Sequence, residues 1–280
     1  MQLTVGTVVG VVGSGTMGAG IAQVAASAGH RVLLFDTAAG RAQAAVDGVG
    51  ARLLRSVEQG KVTAPDAACV AQRLVAITDV GDMAQCGVVI EAAVESLSIK
   101  QEIFAEVEAV VSEFCVLATN TSSLSITAVA ATLRHPERCV GMHFFNPAPV
   151  MKLVEVVCGL ATDPTLAVEI AALAASWGKT PVAVASTPGF IVNRVARPFY
   201  GESLRALQER AADAATIDAV LRDCGGVRMG PLELTDLIGQ DVNLAVSTSV
   251  WVLFGHDPRY APSLAQQQLV DAGRLGRKTG

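Results

Sequence analysis

The stretch that decides the fold lies near the start of the chain and reads Thr7-Val8-Val9-Gly10-Val11-Val12, then Gly13-Ser14-Gly15-Thr16-Met17-Gly18, then an alanine-rich run to Ala26. This order predicts a short buried strand, a glycine turn and a helix. The run Arg31-Val32-Leu33-Leu34-Phe35 predicts the next strand, and Asp36 ends it eighteen residues after Gly18. A glycine turn alone is weak evidence, but in this context it indicates a dinucleotide-binding unit.

Each residue of the turn has a predicted task. Gly13 allows the tight turn, Gly15 lets the backbone approach a pyrophosphate, and Gly18 allows the helix to pack closely on the strand. Thr16 and Met17 begin the helix, whose N–H groups and dipole favour the pyrophosphate. Asp36 is expected to accept hydrogen bonds from the adenosine ribose and to repel a 2′-phosphate, which favours NAD over NADP. The alternative is a packing turn followed by an unrelated turn aspartate.

The residues from 1 to 187 alternate strands and helices, which predicts an α/β domain with a mostly parallel, Rossmann-type sheet. We expect further strands near 74–78, 88–92, 116–120, 139–144, 154–158 and 182–185, and helices near 38–59, 99–111, 126–131 and 166–177. The segment 38–73 is too long for one crossover helix, so we expect a helical hairpin broken near Pro65. After Pro188-Gly189 the pattern is helical, near 191–209, 215–224, 232–254 and 264–273, which predicts an all-α domain from 188 to 280.

The composition excludes several classes of protein. Apolar residues make up 51% of the 280 residues, charged residues 17%, and the net charge is -5, which argues against disorder and against nucleic acid as a partner. The six cysteines show neither a Cys-x-x-Cys pair nor a metal-ligand spacing, so we expect no metal site and a reducing compartment. The first thirty residues lack charged side chains apart from histidine, but glycines interrupt them and no basic segment precedes them. We therefore expect a cytoplasmic protein without a membrane span.

A histidine and a glutamate mark two neighbouring predicted strands. His143 lies at the end of one apolar run, and Glu155 lies inside the next, Leu153-Val154-Glu155-Val156-Val157. A histidine exchanges protons near neutral pH, and a carboxylate is its usual orienting partner. If the strands are neighbours, the two side chains meet at one end of the sheet. A surface histidine and an unrelated strand glutamate remain the alternative from spacing alone.

Two further strands end in polar residues, in the runs Glu91-Ala92-Ala93-Val94-Glu95 and Thr119-Asn120-Thr121-Ser122-Ser123. In an open α/β sheet the ligand lies beyond the carboxyl ends of the strands, so these residues are expected to face the cofactor. The second run also suits a helix N-cap before Leu124.

These motifs together resemble the (S)-3-hydroxyacyl-CoA dehydrogenase family, which includes the 3-hydroxybutyryl-CoA enzymes. The resemblance covers essentially the whole chain in register, through GSGTMG with Asp36, EAAVE, TNTSSLSIT, HFFNPAPVMKLVEVV, TPGFIVNR, MGPLELTDLIG and RLGRKTG. It implies NAD-dependent oxidation of a 3-hydroxyacyl-CoA to the 3-oxoacyl-CoA, and a homodimer formed through the C-terminal helices.

The resemblance also assigns roles to residues. His143 matches the base of the family and Glu155 its charged partner, while Ser122 and Asn193 match the groups that contact the substrate hydroxyl. The positions that match NAD contacts are Glu95, Lys100, Asn146 and, less closely, Lys278, while Asn120 is expected at the cofactor from its place at the end of a strand. Lys61, in the expected helical hairpin, matches the region that binds the coenzyme A phosphates only by approximate position.

Arg197 indicates which acyl chain the protein binds. It follows Asn193 by one helical turn. A guanidinium in an acyl pocket favours a second carboxylate on the substrate, whereas a surface arginine in a salt bridge is the alternative. The runs around it, VNRVARPFYGESLRAL, SWGKTPV and PLELTDLIGQDVN, are most similar to the bacterial 3-hydroxyadipyl-CoA dehydrogenases of phenylacetate degradation. We therefore expect a 3-hydroxyadipyl-CoA substrate, with 3-hydroxybutyryl-CoA in short-chain fatty acid metabolism as the alternative.

Other readings remain open. A dehydrogenase of the 6-phosphogluconate or gulonate type acts on a free hydroxy acid, but the former relies on a lysine-centred site. An NAD-binding structural relative has no need of Ser122, His143, Glu155 and Asn193 together. Members of the family continue beyond the position of Gly280, so we expect a truncated chain here, which leaves Lys278 and the oligomeric state open.

Overall fold

A computed structural model describes residues 3–280, and the chain forms two compact units. One unit ends at Thr187 and the second covers Pro188–Gly280. The first unit is an α/β sheet domain and the second consists of helices. The expected fold class, a Rossmann-type mostly parallel sheet followed by an all-α unit, is confirmed.

Within residues 3–280, eight strands form one sheet: β1 Val9–Val12, β2 Val32–Phe35, β3 Leu74–Ile77, β4 Val88–Glu91, β5 Val116–Thr119, β6 Cys139–Phe144, β7 Leu153–Cys158 and β8 Thr180–Ala185. Their order across the sheet is β3-β2-β1-β4-β5-β6-β7-β8. Every neighbouring pair is parallel except β6 with β7, which is antiparallel. The order reverses beside β1, and in sheets of this kind a ligand binds at that reversal.

The helices of the first unit are α1 Thr16–Ser27, α2 Arg41–Glu58, α3 Ala64–Arg73, α4 Leu97–Val110, α5 Ile126–Ala130 and α6 Pro164–Ser176. Helices α2 and α3 pack on each other within the segment 38–73. Pro65 lies in the first turn of α3, where a missing N–H costs nothing, and Thr63 caps this helix by accepting from the Asp66 N–H at 3.2 Å. The proline therefore begins the second helix of the pair.

Both faces of the sheet are buried. Successive side chains of a strand point to opposite faces, so each strand contributes apolar side chains to both. Val9 and Val11 of β1 join one core with α1, α2 and α6, and they have no exposed surface. Leu33 and Val89, on alternate positions of β2 and β4, are buried outside that core. This double covering explains why the strands read as continuous apolar runs.

The second unit contains α7 Val192–Gln208, α8 Ala214–Gly225, α9 Pro231–Ile238, α10 Gln240–Leu253 and α11 Leu264–Asp271. The prediction of a single helix over 232–254 is wrong, because Gly239 separates α9 from α10. Gly239 has φ of 107°, and a Cβ there would lie 2.9 Å from the Lys278 Nζ and from the Asp241 Oδ1. A left-handed residue cannot continue the helix. None of the helices in the described part of the chain is long and apolar enough to cross a membrane.

Candidate active site

The glycine turn follows β1 and leads into α1, as the sequence predicts. Gly13 has φ of 97°, and a Cβ on it would lie 2.7 Å from the Ala92 carbonyl oxygen. A Cβ on Gly18 would collide with the Gly13 carbonyl oxygen. Gly15 differs, since nothing lies within 4 Å of the position that its Cβ would take. Two glycines are therefore required by packing, and the third keeps a space open at the start of α1.

A cavity of about 590 Å³ lies against this turn. Its walls include the predicted residues Gly13, Gly15, Thr16, Met17 and Asp36. The cavity also has walls that the sequence reasoning missed, namely Arg41, Ile99 and Ile103. Ile99 and Ile103 are four residues apart on α4, so both point to the same side of that helix. A search for apolar i, i+4 pairs after the polar end of β4 would have found them.

The carboxylate of Asp36 is held by the glycine turn itself. Its Oδ2 accepts hydrogen bonds from the Ser14 N–H at 2.9 Å and from the Ser14 hydroxyl at 2.6 Å, and its Oδ1 accepts from the Ala38 N–H at 3.0 Å. Burial raises the pKa of Asp36, but these hydrogen bonds outweigh burial and hold the pKa below its usual value. The carboxylate is therefore charged at neutral pH and half-buried in the cavity wall.

The open space at Gly15, the helix N-terminus and the fixed charge of Asp36 suit a dinucleotide. A helix N-terminus with an unfilled space before it accepts a phosphate against its backbone N–H groups. The apolar pair on α4 provides a surface for a flat base within the same cavity. The residues present therefore fit NAD.

Lys100 is buried in a double ion pair at the carboxyl end of β4. The side chain is only 1% exposed, and its Nζ lies 2.8 and 2.9 Å from the two carboxylate oxygens of Glu91 and 3.4 Å from the Glu95 Oε2. Glu91 also accepts from the Thr119 hydroxyl at 2.7 Å and from the Ala93 N–H at 2.6 Å. Its partners tie β4 to β5 and to the start of α4. The NAD contact assigned to Lys100 stays a prediction, and the sequence did not predict that Glu91 pairs with Lys100.

Glu95 organises the loop that carries Ser122. Its Oε1 accepts from the Thr121 hydroxyl at 2.6 Å, from the Ser122 N–H at 2.9 Å and from the Ser122 hydroxyl at 3.2 Å. The Ser123 N–H and hydroxyl both reach the same oxygen at 3.2 Å. Burial raises the pKa of Glu95, but the Lys100 charge and the Thr121 and Ser122 hydrogen bonds hold it below its usual value. Ser125, rather than Ser122 or Ser123, caps α5.

His143 and Glu155 are direct partners across the antiparallel pair β6–β7. The register sets the two residues opposite each other, and the distance from the His143 Nδ1 to the Glu155 Oε2 is 2.7 Å. His143 is 5% exposed and Glu155 1% exposed. In this geometry the carboxylate accepts a hydrogen bond from Nδ1–H. It thereby fixes the tautomer in which Nε2 is able to accept a proton. The alternative of an unrelated histidine and glutamate is excluded by this contact.

The two asparagines assigned to NAD both lie near His143. Asn146 follows it by three residues in the chain, and Asn120 comes directly after the neighbouring strand β5. The Asn120 Oδ1 accepts from the Phe144 N–H at 2.8 Å, which links the end of β5 to the end of β6. Asn146 is exposed in the loop that follows Phe145, whose ring centroid is 4.4 Å from that of His143. The Lys179 Nζ holds this loop by donating to the Ala148 carbonyl at 2.6 Å and to the Met151 carbonyl at 2.9 Å.

The remaining predicted residues lie elsewhere. Lys61 is exposed in the turn between α2 and α3, outside either helix. Asn193 is in the first turn of α7, and its carbonyl accepts from the Arg197 Nε at 3.1 Å. Lys278 pairs with Asp241 at 2.5 and 2.7 Å in the second unit. The binding roles of Lys61, Asn193 and Lys278 stay predictions.

Comparison with known proteins gives the same assignment over the whole chain. The family model of the NAD-binding domain of 3-hydroxyacyl-CoA dehydrogenase matches residues 8–187, and the model of the C-terminal domain matches 189–280. The 3-hydroxyadipyl-CoA dehydrogenase of Escherichia coli K12 is 56% identical over 280 residues, which are 100% of this chain but 59% of that protein. The chain therefore spans about three fifths of the length of that relative.

Shorter relatives match over most of their own length. A probable 3-hydroxybutyryl-CoA dehydrogenase of Bacillus subtilis is 40% identical over 96% of this chain and 94% of that protein. The crystal structure of the (S)-3-hydroxybutyryl-CoA dehydrogenase of Ralstonia eutropha matches with a TM-score of 0.93 at 40% identity, covering 98% of this chain and 96% of that one. With both units matching the two domains of one enzyme family in order, the chain belongs to the 3-hydroxyacyl-CoA dehydrogenase family, and its first unit is the NAD-binding domain of that family.

Proposed function

We propose that this chain catalyses the reversible NAD-dependent oxidation of an (S)-3-hydroxyacyl-CoA to the 3-oxoacyl-CoA. The observation that carries the proposal is the buried His143–Glu155 pair, 2.7 Å apart on β6 and β7. A buried carboxylate beside an imidazole is the arrangement that a general base requires, and the pair lies in the same sheet as the glycine turn.

The chemistry at the hydroxyl follows from this pair. The His143 Nε2 removes the proton of the C3 hydroxyl, and in the reverse direction the imidazolium returns it. Glu155 holds the ring in the required tautomer and stabilises the imidazolium. The Ser122 hydroxyl and the Asn193 side chain hold the C3 oxygen, and the loss of one such donor costs about 2.7–4 kcal/mol of transition-state stabilisation. Gly15 and Asp36 would hold NAD in the cavity beside them, and the cofactor would supply the acceptor for the C3 hydride.

For the acyl group we propose 3-hydroxyadipyl-CoA, as in the bacterial degradation of phenylacetate. The support is the 56% identity with the Escherichia coli enzyme of that name and the presence of Arg197 in the second unit. 3-Hydroxybutyryl-CoA is the second candidate, because several relatives that match over more than nine tenths of their own length carry that name.

We also propose that the chain acts as a homodimer in the cytoplasm. Support for the dimer comes from exposed apolar side chains on α9 and α10, namely Leu237, Ile238, Val242, Val252 and Leu253. A second copy of the chain would cover these side chains. Six free cysteines, three of them buried, suit a reducing compartment. Sedimentation at several protein concentrations tests the dimer, and a monomer at every concentration would contradict it.

The test of the reaction is the oxidation of NADH in the presence of acetoacetyl-CoA, followed as a loss of NADH absorbance. We expect turnover by the wild-type chain and a loss of about 10²–10⁴-fold in His143→Ala. NADH binding without turnover of any 3-oxoacyl-CoA would instead support the NAD-binding structural relative.

A further inference from the structure

Arg197 is a buried cation whose hydrogen bonds all go to neutral acceptors. The residue is 6% exposed on α7. Its Nε donates to the Asn193 carbonyl at 3.1 Å, and its Nη1 donates to the Asn243 carbonyl and to the Ser247 hydroxyl, both at 3.1 Å. The Tyr200 ring lies beneath the guanidinium, with 5.0 Å between Cζ and the ring centroid. Arg197 is therefore not a surface residue, and it forms no salt bridge within residues 3–280, so the alternative of a surface arginine in a salt bridge is wrong.

This charge has no counter-charge among residues 3–280. Burial lowers the pKa of Arg197 to about 10, against a smaller opposing effect of Tyr200, so the guanidinium is still charged at neutral pH. A buried, unpaired charge is costly, and natural proteins retain one where a ligand supplies its partner or where it has another function. The hydrogen bonds of the guanidinium use Nε and Nη1, and the N–H groups of Nη2 have no acceptor in the described part of the chain.

The surroundings of Arg197 are also short of acceptors. Asn243 is 2% exposed, and its Nδ2 has no hydrogen-bond partner among the residues that the structure describes. The orientation of this amide is fixed because its Oδ1 accepts from Gln266 at 3.2 Å. Gln266 donates to Gln240, which in turn donates to Asp236 at 2.7 Å, so the carboxylate of this network is three side chains away from Arg197. The cluster therefore has unused donors and a positive charge, which one carboxylate would satisfy.

We propose that Arg197 determines substrate specificity by binding the terminal carboxylate of a dicarboxylyl-CoA substrate. This proposal rests on the proposed function, because it concerns the acyl chain of the same substrate. Asn193, one turn before Arg197, is the residue assigned to the C3 oxygen. The terminal carboxylate carbon of an adipyl chain lies three bonds beyond C3, and adjacent helical turns are about 5.4 Å apart. Groups on the two turns can therefore bind the two ends of this three-carbon segment.

The competing role for Arg197 is a structural link between α7 and α10 through Asn243 and Ser247. The two roles differ in what they predict. A structural link affects all substrates alike and lowers the melting temperature when it is removed. A carboxylate-binding cation affects only the substrate with the terminal carboxylate, and its removal also relieves an unpaired buried charge.

The experiment compares two substrates that have the same six-carbon chain, 3-oxoadipyl-CoA and 3-oxohexanoyl-CoA, which differ in the terminal carboxylate alone. The kcat/KM for NADH oxidation is measured for wild type, Arg197→Met and the control Arg205→Met, together with the melting temperature of each. Arg205 lies on the same helix in an exposed pair with Glu202, at 3.1 Å, so its variant changes the net charge equally.

We expect wild type to prefer 3-oxoadipyl-CoA. In Arg197→Met the kcat/KM for this substrate falls by about 30-fold or more, the minimum for a buried charge pair that loses one partner. The value for 3-oxohexanoyl-CoA stays within threefold of wild type, and Arg205→Met changes neither value.

Two results would overturn the proposal. One is an equal loss for both substrates in Arg197→Met, which is the outcome of a structural link. The other is a wild-type preference for 3-oxohexanoyl-CoA, which decides the question even where the methionine variant does not fold. A wild-type chain that binds NADH but reduces neither substrate contradicts the proposed function itself, and is thus distinguished from both.

Discussion

The His143–Glu155 pair predicts the effect of changing Glu155 to glutamine. The substitution keeps the shape of the side chain and removes its charge. At an effective dielectric constant of about 20, two unit charges 2.7 Å apart attract by about 6 kcal/mol. The glutamine amide retains part of this through a hydrogen bond, and the loss of one member of a buried pair typically costs about 3–5 kcal/mol. Because 1.36 kcal/mol is a factor of ten in rate, we expect kcat to fall about 10²–10⁴-fold.

A second effect of Glu155→Gln acts in the same direction. The glutamine can present its NH₂ group to the His143 Nδ1, which then accepts and leaves the proton on Nε2. Such a ring cannot take a proton from the hydroxyl. The assay is NAD reduction with saturating 3-hydroxyacyl-CoA, the direction in which His143 must take the proton, with NADH affinity and the melting temperature measured in parallel. We expect NADH affinity to be unchanged, since the cavity of about 590 Å³ beside Asp36 does not include Glu155.

The chain provides a matched control for this substitution. His135 and Glu137 form a second histidine–glutamate pair at 3.2 Å, with side chains 44% and 56% exposed. Glu137→Gln removes the same charge in water, where an ion pair contributes little, so kcat should stay within a factor of two of wild type. The reasoning is refuted if Glu155→Gln keeps more than a tenth of wild-type kcat, or if the two glutamine variants lose activity equally.

Three further predictions concern the first unit. Asp36→Ser removes the charge that opposes a 2′-phosphate, so the ratio of kcat/KM for NADPH to that for NADH should rise about tenfold or more, measured as NADPH and NADH oxidation. Lys179→Met removes two hydrogen bonds from an ammonium to the Ala148 and Met151 carbonyls, and should lower the free energy of unfolding by about 1.5–3 kcal/mol in urea titration. Burial raises the pKa of Glu108, but hydrogen bonds from Arg134, Arg138 and His135 hold it below its usual value. The stability that these hydrogen bonds provide is therefore present above the usual glutamate pKa, and it is lost as pH falls through the lower folded pKa. In Glu108→Gln the free energy of unfolding, measured as a function of pH, should fall less steeply in that acid range.

Much of the fold could be predicted because each strand is a short apolar run bounded by turn residues. The glycine turn with Asp36 specifies β1, α1 and β2, and the structure has all three. The error at 232–254 arose because an apolar helical period continues across Gly239, which has a positive φ. Periodicity reports which face of a helix is apolar and carries no information about a single left-handed residue.

The candidate site, like the fold, could be predicted only in part. The sequence predicts the contact between His143 and Glu155 only on the condition that their strands are neighbours. Which strands are neighbours, and in which register, decides whether the two residues meet. Their contact depends on β6 and β7 being antiparallel with these positions opposite each other. A shift of one residue would turn one side chain to the other face of the sheet. Both strands are buried on both faces, so their apolar pattern does not fix that register, and the register and the direction of β7 are visible only in the structure.

The polar contacts at the carboxyl ends of β4, β5 and β6 explain why the site could not be completed from the sequence. Glu91 bonds to Thr119 across two strands, and the Asn120 side chain bonds to the backbone after His143. Glu95 bonds to the Ser122 loop from 27 residues away. Taken singly from the sequence, each of these residues would be interpreted as a helix cap, a turn residue or a cofactor contact. Together they connect the loops that carry the proposed reaction, so substitutions among them should be coupled rather than additive. Chemistry that depends on such a network is specified by distances between strands, and these distances follow from the packing of the apolar residues.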